Sequence, residues 1–170
     1  FEVIETQRIF NQPKKNIKVL IHESSYVHAI VEFKNGLKKI LVHDTNMKIP
    51  IFNSLYFDNF KSIKSKPLDI KKLNNVNFDK IDKKKFPLSK ILDILPEQNS
   101  LFETIIISAN DELVKLFLKK KISYHYLCKT LEKFLNLKEF KKYKIKTPKN
   151  INDINKLNLY VRLKVNQLCI

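Results

Sequence analysis

The chain has 170 residues, is 44% hydrophobic and carries a formal charge of +16. That is enough apolar material for a core in one domain or two small ones, and no apolar run is long enough to span a bilayer. Of its 33 basic residues 31 are Lys, whereas phosphate and base-edge recognition favour the guanidinium of Arg; with a single Gly and abundant Asn, Ile and Phe, the bias reads as drift in an AT-rich genome that spreads lysines over solvated faces.

Phe1-Glu2-Val3-Ile4-Glu5 reads as the inside of a helix, with no cap before it, and suggests a piece of a longer protein. Phe1, Ile4 and Ile9 can share its apolar face, and Pro13 closes it. Lys18–His22 reads as a strand, interrupted by Glu23-Ser24-Ser25. A β-hairpin follows around Asn35-Gly36, read as a two-residue type I′ loop. That register pairs Lys34 with Leu37, sets Ile30 opposite Leu41 and sets His28 opposite His43. One face then carries His28, Ile30, Glu32, Lys39, Leu41 and His43. The other carries Val27, Ala29, Val31, Phe33, Lys38, Ile40 and Val42 and is expected to be buried. After the Asp44-Thr45-Asn46 loop, a helix starts at Met47–Pro50 and runs to about Phe57.

Residues 58–82 are dense in Lys, Asn and Asp and read as a connecting segment. From Phe86-Pro87 the period is helical. Four helices are predicted: Leu88–Leu95, Leu101 to about Lys119, Tyr124–Leu135 capped by Ser123, and a last one opening at Asn150 or Asn152. Four amphipathic helices with short connections make a bundle. The expected class is α+β: residues 1–57 as part of an α/β domain whose sheet contains the hairpin, then 58–82 as a connection, then 83–170 as a four-helix bundle.

Little in the spacing is specific to one chemistry. Glu2 and Glu5, one turn apart, offer oxygens that hard divalent cations prefer, or are simply solvated acids. His28 and His43 can bind a metal or act as an acid/base pair, or simply bond to backbone. Ser108–Glu112 is a polar patch in an apolar helix and reads as a packing feature. A lone Gly excludes a Gly-rich phosphate loop. Cys128 and Cys169 have no metal-ligand spacing and read as free thiols.

The motifs taken together go further. F-E-V-I-E-T, V-L-I-H-E-S-S-Y-V-H-A-I-V-E-F and D-T-N-M-K-I-P-I, then Lys66-Pro67-Leu68-Asp69, Phe86-Pro87 and Ser108-Ala109-Asn110-Asp111-Glu112, occur in the order found in one family. The chain resembles 1-deoxy-D-xylulose 5-phosphate reductoisomerase over most of its length, more weakly after about residue 140. The resemblance implies the end of the catalytic domain followed by the C-terminal bundle. It implies an NADPH-dependent, Mg²⁺- or Mn²⁺-dependent rearrangement and reduction of a phosphorylated ketose in non-mevalonate isoprenoid synthesis. It assigns Glu2 to the metal and substrate, Ser25 to substrate, His28 to catalysis beside the metal, and Met47 to the nicotinamide end of the cofactor. It implies a homodimer through the sheet, no nucleic acid, no membrane, and a bacterial cytoplasmic or plastid-type location. The family's remaining metal ligands and phosphate contacts are expected before Phe1. Glu23-Ser24 and Thr45-Asn46 depart from the family pattern, and His43 stands where Gly is usual. A basic nucleic-acid-binding bundle and a non-catalytic homologue are the alternative classes.

Overall fold

The structure, a computed structural model, describes residues 1–56 and 61–169. The chain packs as two units, Phe1–Lys18 with Asp82–Ile170, and Val19–Ile81. Residues 1–57, grouped together on sequence grounds, are thus shared between the two.

The first unit is helical. Its core is built by α5 (Phe102–Leu118), α6 (Tyr124–Leu135) and α7 (Ile151–Cys169). Leu157, Val161 and Val165 recur every four residues on α7 and meet Phe102, Ile105 and Leu113 of α5 and Leu131 and Phe134 of α6 in one cluster. The Ser123 hydroxyl accepts from the Tyr126 amide at 3.2 Å, and Asn150 accepts from Asp153 N–H at 3.1 Å, so both caps stand where the sequence put them. α5 ends in a Schellman turn. Lys121 N–H donates to Leu116 C=O and Lys120 N–H to Phe117 C=O, with Lys120 at φ +57°. The helix expected from Leu88 is a 3-10 turn over Pro87–Lys90 running into a short α4, Ile91–Ile94. An unforeseen 3-10 segment, Lys138–Lys144, drives Phe140 fully into the core.

The polar patch on α5 does pack inward. Ser108 and Ala109 are buried, and the buried Glu112 accepts from Arg162 Nη1 at 3.3 Å and Asn166 Nδ2 at 3.0 Å. Burial pushes the Glu112 carboxyl up, but those two hydrogen bonds and the charges of Lys115 and Arg162 outweigh it and hold it below its ordinary value.

α1 (Glu2–Ile9) belongs to this unit and corrects the expected face. Phe1 and Ile9 are exposed, while Val3 and Ile4 pack against the core and Gln7 is buried. A polar Gln7 on the inner side hides that face from a hydrophobicity pattern. The helix is pinned by ions as well. Arg8 pairs with the buried Glu103, and past the helix Lys14 Nζ donates to Leu95 C=O at 2.9 Å.

The second unit holds two small antiparallel pairs. β1 (Leu20–Ile21) pairs with β4 (Asp79–Lys80), a partner the sequence did not reveal. β2 (Val27–Glu32) pairs with β3 (Lys38–Val42). The hairpin register differs from expectation by one residue: Ile30 pairs with Ile40 and Glu32 with Lys38. Phe33 and Leu37 close the ladder, and Gly36 N–H donates to Phe33 C=O with Gly36 at φ +87°. The loop is therefore the three residues Lys34-Asn35-Gly36, a turn completed by a glycine bulge. The expected division of faces fails with that register. Ile30, Val31, Phe33, Ile40 and Leu41 are all exposed, so neither face is the buried one. α2 (Lys48–Leu55) and α3 (Ile70–Asn74, capped by Asp69) complete the unit; the expected helix end at Phe57 lies outside the described residues. Tyr26 is its one buried apolar anchor among the described residues, and its hydroxyl accepts from Asp69 N–H at 3.0 Å.

Candidate active site

Glu2 is the first residue of α1. The N-terminal turn leaves amides without intrahelical partners, and carboxylates there are favoured by the helix dipole. Glu2 and Glu5 are both exposed in that turn, and neither has a cationic partner within 4 Å among the described residues. The opposite side of α1 is docked through Val3, Ile4 and Arg8. The helix thus presents two hard carboxylates on a fixed support.

The other three candidates lie in the second unit. Ser25 is exposed at φ +48°, in the left-handed region that a serine tolerates only within a tight turn, here closed by Ser25 N–H donating to His22 C=O at 3.4 Å. His22 fixes that turn. Its Nε2 lies 3.0 Å from the Val27 amide nitrogen and 3.1 Å from Val27 C=O, and its Nδ1 shares a hydrogen bond with Ser24 Oγ at 3.2 Å. Met47, on the turn before α2, is 69% exposed. Asn46 holds that turn by accepting from Lys48 N–H at 3.0 Å.

His28 and His43 do meet, although the register that foresaw it was wrong by one. Val27 pairs with Val42 but Ala29 pairs with Leu41, so His28 is the extra residue of a β-bulge. The bulge swings its ring onto that of His43, with centroids 3.6 Å apart and planes within 6°. His28 Nε2–H donates to His43 C=O at 3.1 Å, and His43 Nδ1–H donates to Asp44 C=O at 2.6 Å. Carbonyls only accept, so these contacts fix both tautomers. His28 presents Nδ1 as its free lone pair, and His43 presents Nε2.

Beside this turn lies a polar cavity of about 230 Å³ lined by Ser24, Tyr26, Asp44, Asn46, Lys66 and Lys72 among others. The sequence marks Lys66 only as part of a family motif and Lys72 only as one lysine of the connecting segment. Lys72 instead lies over the Tyr26 ring, 5.7 Å from its centroid, and Lys66 N–H donates to Asp44 at 3.2 Å.

Comparison with known proteins decides the family. Residues 43–164 match the family model described as the DXP reductoisomerase C-terminal domain. The chain belongs to the DXP reductoisomerase family. It is 55% identical, over all 170 residues, to the 1-deoxy-D-xylulose 5-phosphate reductoisomerase of Pelagibacter ubique, of which it spans 44%. The Aquifex aeolicus reductoisomerase is 29% identical over 168 residues and is spanned to 43%. A solved reductoisomerase in complex with NADPH, fosmidomycin and magnesium superposes with a TM-score of 0.84 at 25% identity, over 99% of this chain and 42% of that one. The Zymomonas mobilis enzyme in complex with NADPH gives a TM-score of 0.80 at 24% identity, over 99% of this chain and 43% of that one. The chain therefore spans less than half the length of these reductoisomerases. The α+β class, with few strands and several helices, agrees with them.

The donor set fits part of a metal centre. Glu2 has the hard oxygens that Mg²⁺ and Mn²⁺ take. Among the described residues no three His, Cys, Asp or Glu side chains gather to hold an ion, so Glu2 would need ligands from elsewhere. No helix among the described residues is long and apolar enough to cross a membrane.

Proposed function

We propose that this chain is the portion of a 1-deoxy-D-xylulose 5-phosphate reductoisomerase that supplies one metal ligand, the histidine-bearing hairpin and the helical bundle. The whole enzyme would convert the phosphoketose to 2-C-methyl-D-erythritol 4-phosphate. The observation that carries the reading is the family match over residues 43–164. When bound, the divalent cation supplies Lewis acidity at the ketone and neighbouring hydroxyl, and NADPH supplies the hydride.

Glu2 would hold the cation through a carboxylate that α1 keeps solvent-facing and free of lysine. Ser25, displayed by its left-handed turn, would donate its hydroxyl to the substrate. His28 has its Nε2 proton committed to His43 C=O, so Nδ1 is the nitrogen left to accept a proton or a hydroxyl hydrogen bond. Met47 would lay its exposed thioether on the nicotinamide. Two such chains would pair through the hairpin, a reading supported by the uncovered apolar side chains of β2 and β3. The chain would work in a bacterial cytoplasm, a reading supported by its bacterial relatives.

The test is a chimera in which these 170 residues replace the matching part of the Pelagibacter ubique enzyme. It should oxidise NADPH only with the phosphoketose and Mg²⁺ present. Glu2→Gln should then cut Mg²⁺-dependent turnover about a hundredfold, and His28→Gln about ten- to a hundredfold with less effect on Mg²⁺ affinity. A folded but silent chimera would point to the non-catalytic homologue. Unchanged Mg²⁺ dependence in Glu2→Gln would remove Glu2 from the metal.

A further inference from the structure

The helical unit contains a cavity of about 400 Å³ that the reductoisomerase reading leaves without a task. One wall is the 3-10 segment that carries Lys142 and Tyr143, with Lys146 just beyond it; the other is the first three turns of α7, with Asp153, Lys156 and Tyr160. Its floor is apolar, made by the buried Leu101 and Leu157.

Lysines are everywhere in this chain, so the arrangement has to set these apart. Four observations do. The wall is anchored: Phe140 is fully buried, and Leu101 N–H donates to Lys146 C=O at 2.7 Å. The acids in the cavity are already engaged. Glu139 accepts from Tyr160 OH at 2.8 Å and pairs with Lys164 at 2.6 Å, and Asp153 accepts from the Lys149 amide at 3.1 Å. The three lysines that line it, Lys142, Lys146 and Lys156, have no carboxylate partner within 4 Å among the described residues. Two of them share one ring. Lys142 Nζ lies 5.3 Å and Lys146 Nζ 5.9 Å from the Tyr143 centroid. A ring face attracts cations, so it steadies both ammoniums while their N–H donors stay free for a ligand.

We propose that Lys142, Lys146 and Lys156 form an anion site whose ligand is a small phosphorylated molecule. The phosphate is held by the three ammoniums and the remainder rests on Tyr143, Tyr160 and the Leu101–Leu157 floor. Lysine binds phosphate as a point charge without requiring a planar fork. The volume falls within the range of about 300–1,000 Å³ usual for small-molecule sites and exceeds what a lone phosphate fills.

The experiment is an amide-shift titration of the 170-residue chain with pyrophosphate, with a hexose phosphate and with a short single-stranded oligonucleotide, at fixed salt. Shifts confined to residues 139–160 and to Leu101, with affinity reduced about tenfold or more in the Lys142→Gln, Lys146→Gln, Lys156→Gln triple variant, support the site. A matched variant with Lys119, Lys120 and Lys121 changed to Gln should bind as the parent does. Tighter binding of the hexose phosphate assigns the ligand to phosphate esters, and tighter binding of pyrophosphate to inorganic phosphates; either supports the phosphate site. Shifts scattered over the lysine-rich surface, or equal losses in both triple variants, would overturn it in favour of general charge attraction. Tighter binding of the oligonucleotide through the same residues would overturn it in favour of nucleic acid. The amide map of the parent decides even if the cavity variant fails to fold.

Discussion

The two units spend their apolar residues differently. In the helical unit every core helix turns a stripe inward, and the buried hydrophobics gather there; among the described residues Tyr26 alone of them belongs to the strand unit. In the strand unit Ile30, Val31, Phe33, Ile40 and Leu41 remain exposed, and order comes from ladder hydrogen bonds, the His28–His43 stack and the Tyr26–Asp69 bond. A two-stranded ribbon has too little to bury for independent stability. The lesson is that stability rests with the helical unit, while three of the four candidate site residues, Ser25, His28 and Met47, lie in the strand unit and Glu2 alone on the helical one. The helical one holds shape, and the ribbon displays side chains.

That contrast can be broken most forcefully at Phe134. It is buried and sits 4.9 Å from the Phe140 ring. Phe134→Ala should cost about 3–5 kcal/mol, because the cavity left in a packed core relaxes only partly. Urea unfolding measures it, and a loss below about 1 kcal/mol would mean that the core is not the one described. Next is Glu112→Gln, which removes the charge facing Arg162 and Asn166. It should cost about 1.5–3 kcal/mol, the usual worth of hydrogen bonds to a charged group. Its pH signature has a definite sign. The folded carboxyl is held below its ordinary value, so its stabilisation is complete above the ordinary carboxylate range and is lost as pH falls through the folded value. Stability of the parent should therefore fall on acidification, and that of Glu112→Gln should fall less; parallel curves would deny the carboxylate its part.

Ser123→Ala removes one cap and should cost about 1 kcal/mol, read as a lower melting temperature. The smallest effect is expected on the ribbon. At dilutions where the chain is a monomer, Val31→Ala should change global stability by less than about 0.5 kcal/mol, since Val31 is 47% exposed. Amides of β2 should also exchange faster than those of α5. Slow exchange there, or a core-sized loss from Val31→Ala, would show that the hairpin is covered in solution, as pairing of two chains through it requires.

How much of this could be read in advance follows the same divide. α6 was legible to the residue, because Ser123 caps it and Leu127, Leu131 and Phe134 keep the helical period. The 3-10 segment with Phe140 was not, since seven residues rich in lysine show no period. The buried side of α1 was missed because Gln7 occupies it. The hairpin was seen but misregistered. Asn-Gly signals a turn without saying whether the loop has two residues or three, and one residue exchanges the faces. Of the candidate site, the proximity of His28 and His43 was anticipated, while the bulge that brings them together leaves no mark in local composition. Glu2, Ser25 and Met47 became candidates through family resemblance. Nothing in their own spacing separates them from ordinary surface residues.

The turn after α5 has a consequence for how this protein could be hardened. Its left-handed position is held by Lys120 at φ +57°, where glycine is the usual occupant. A Cβ in that conformation costs on the order of 1 kcal/mol, so Lys120→Gly should raise the melting temperature rather than lower it; a lower one would show that the lysine side chain contributes more there than its backbone strains. Lysine in a position that glycine usually fills thereby leaves an unclaimed margin of heat resistance at one residue. Gly36 is the counterpart: its φ of +87° lies outside the left-handed basin open to lysine, and there stands the chain's only glycine.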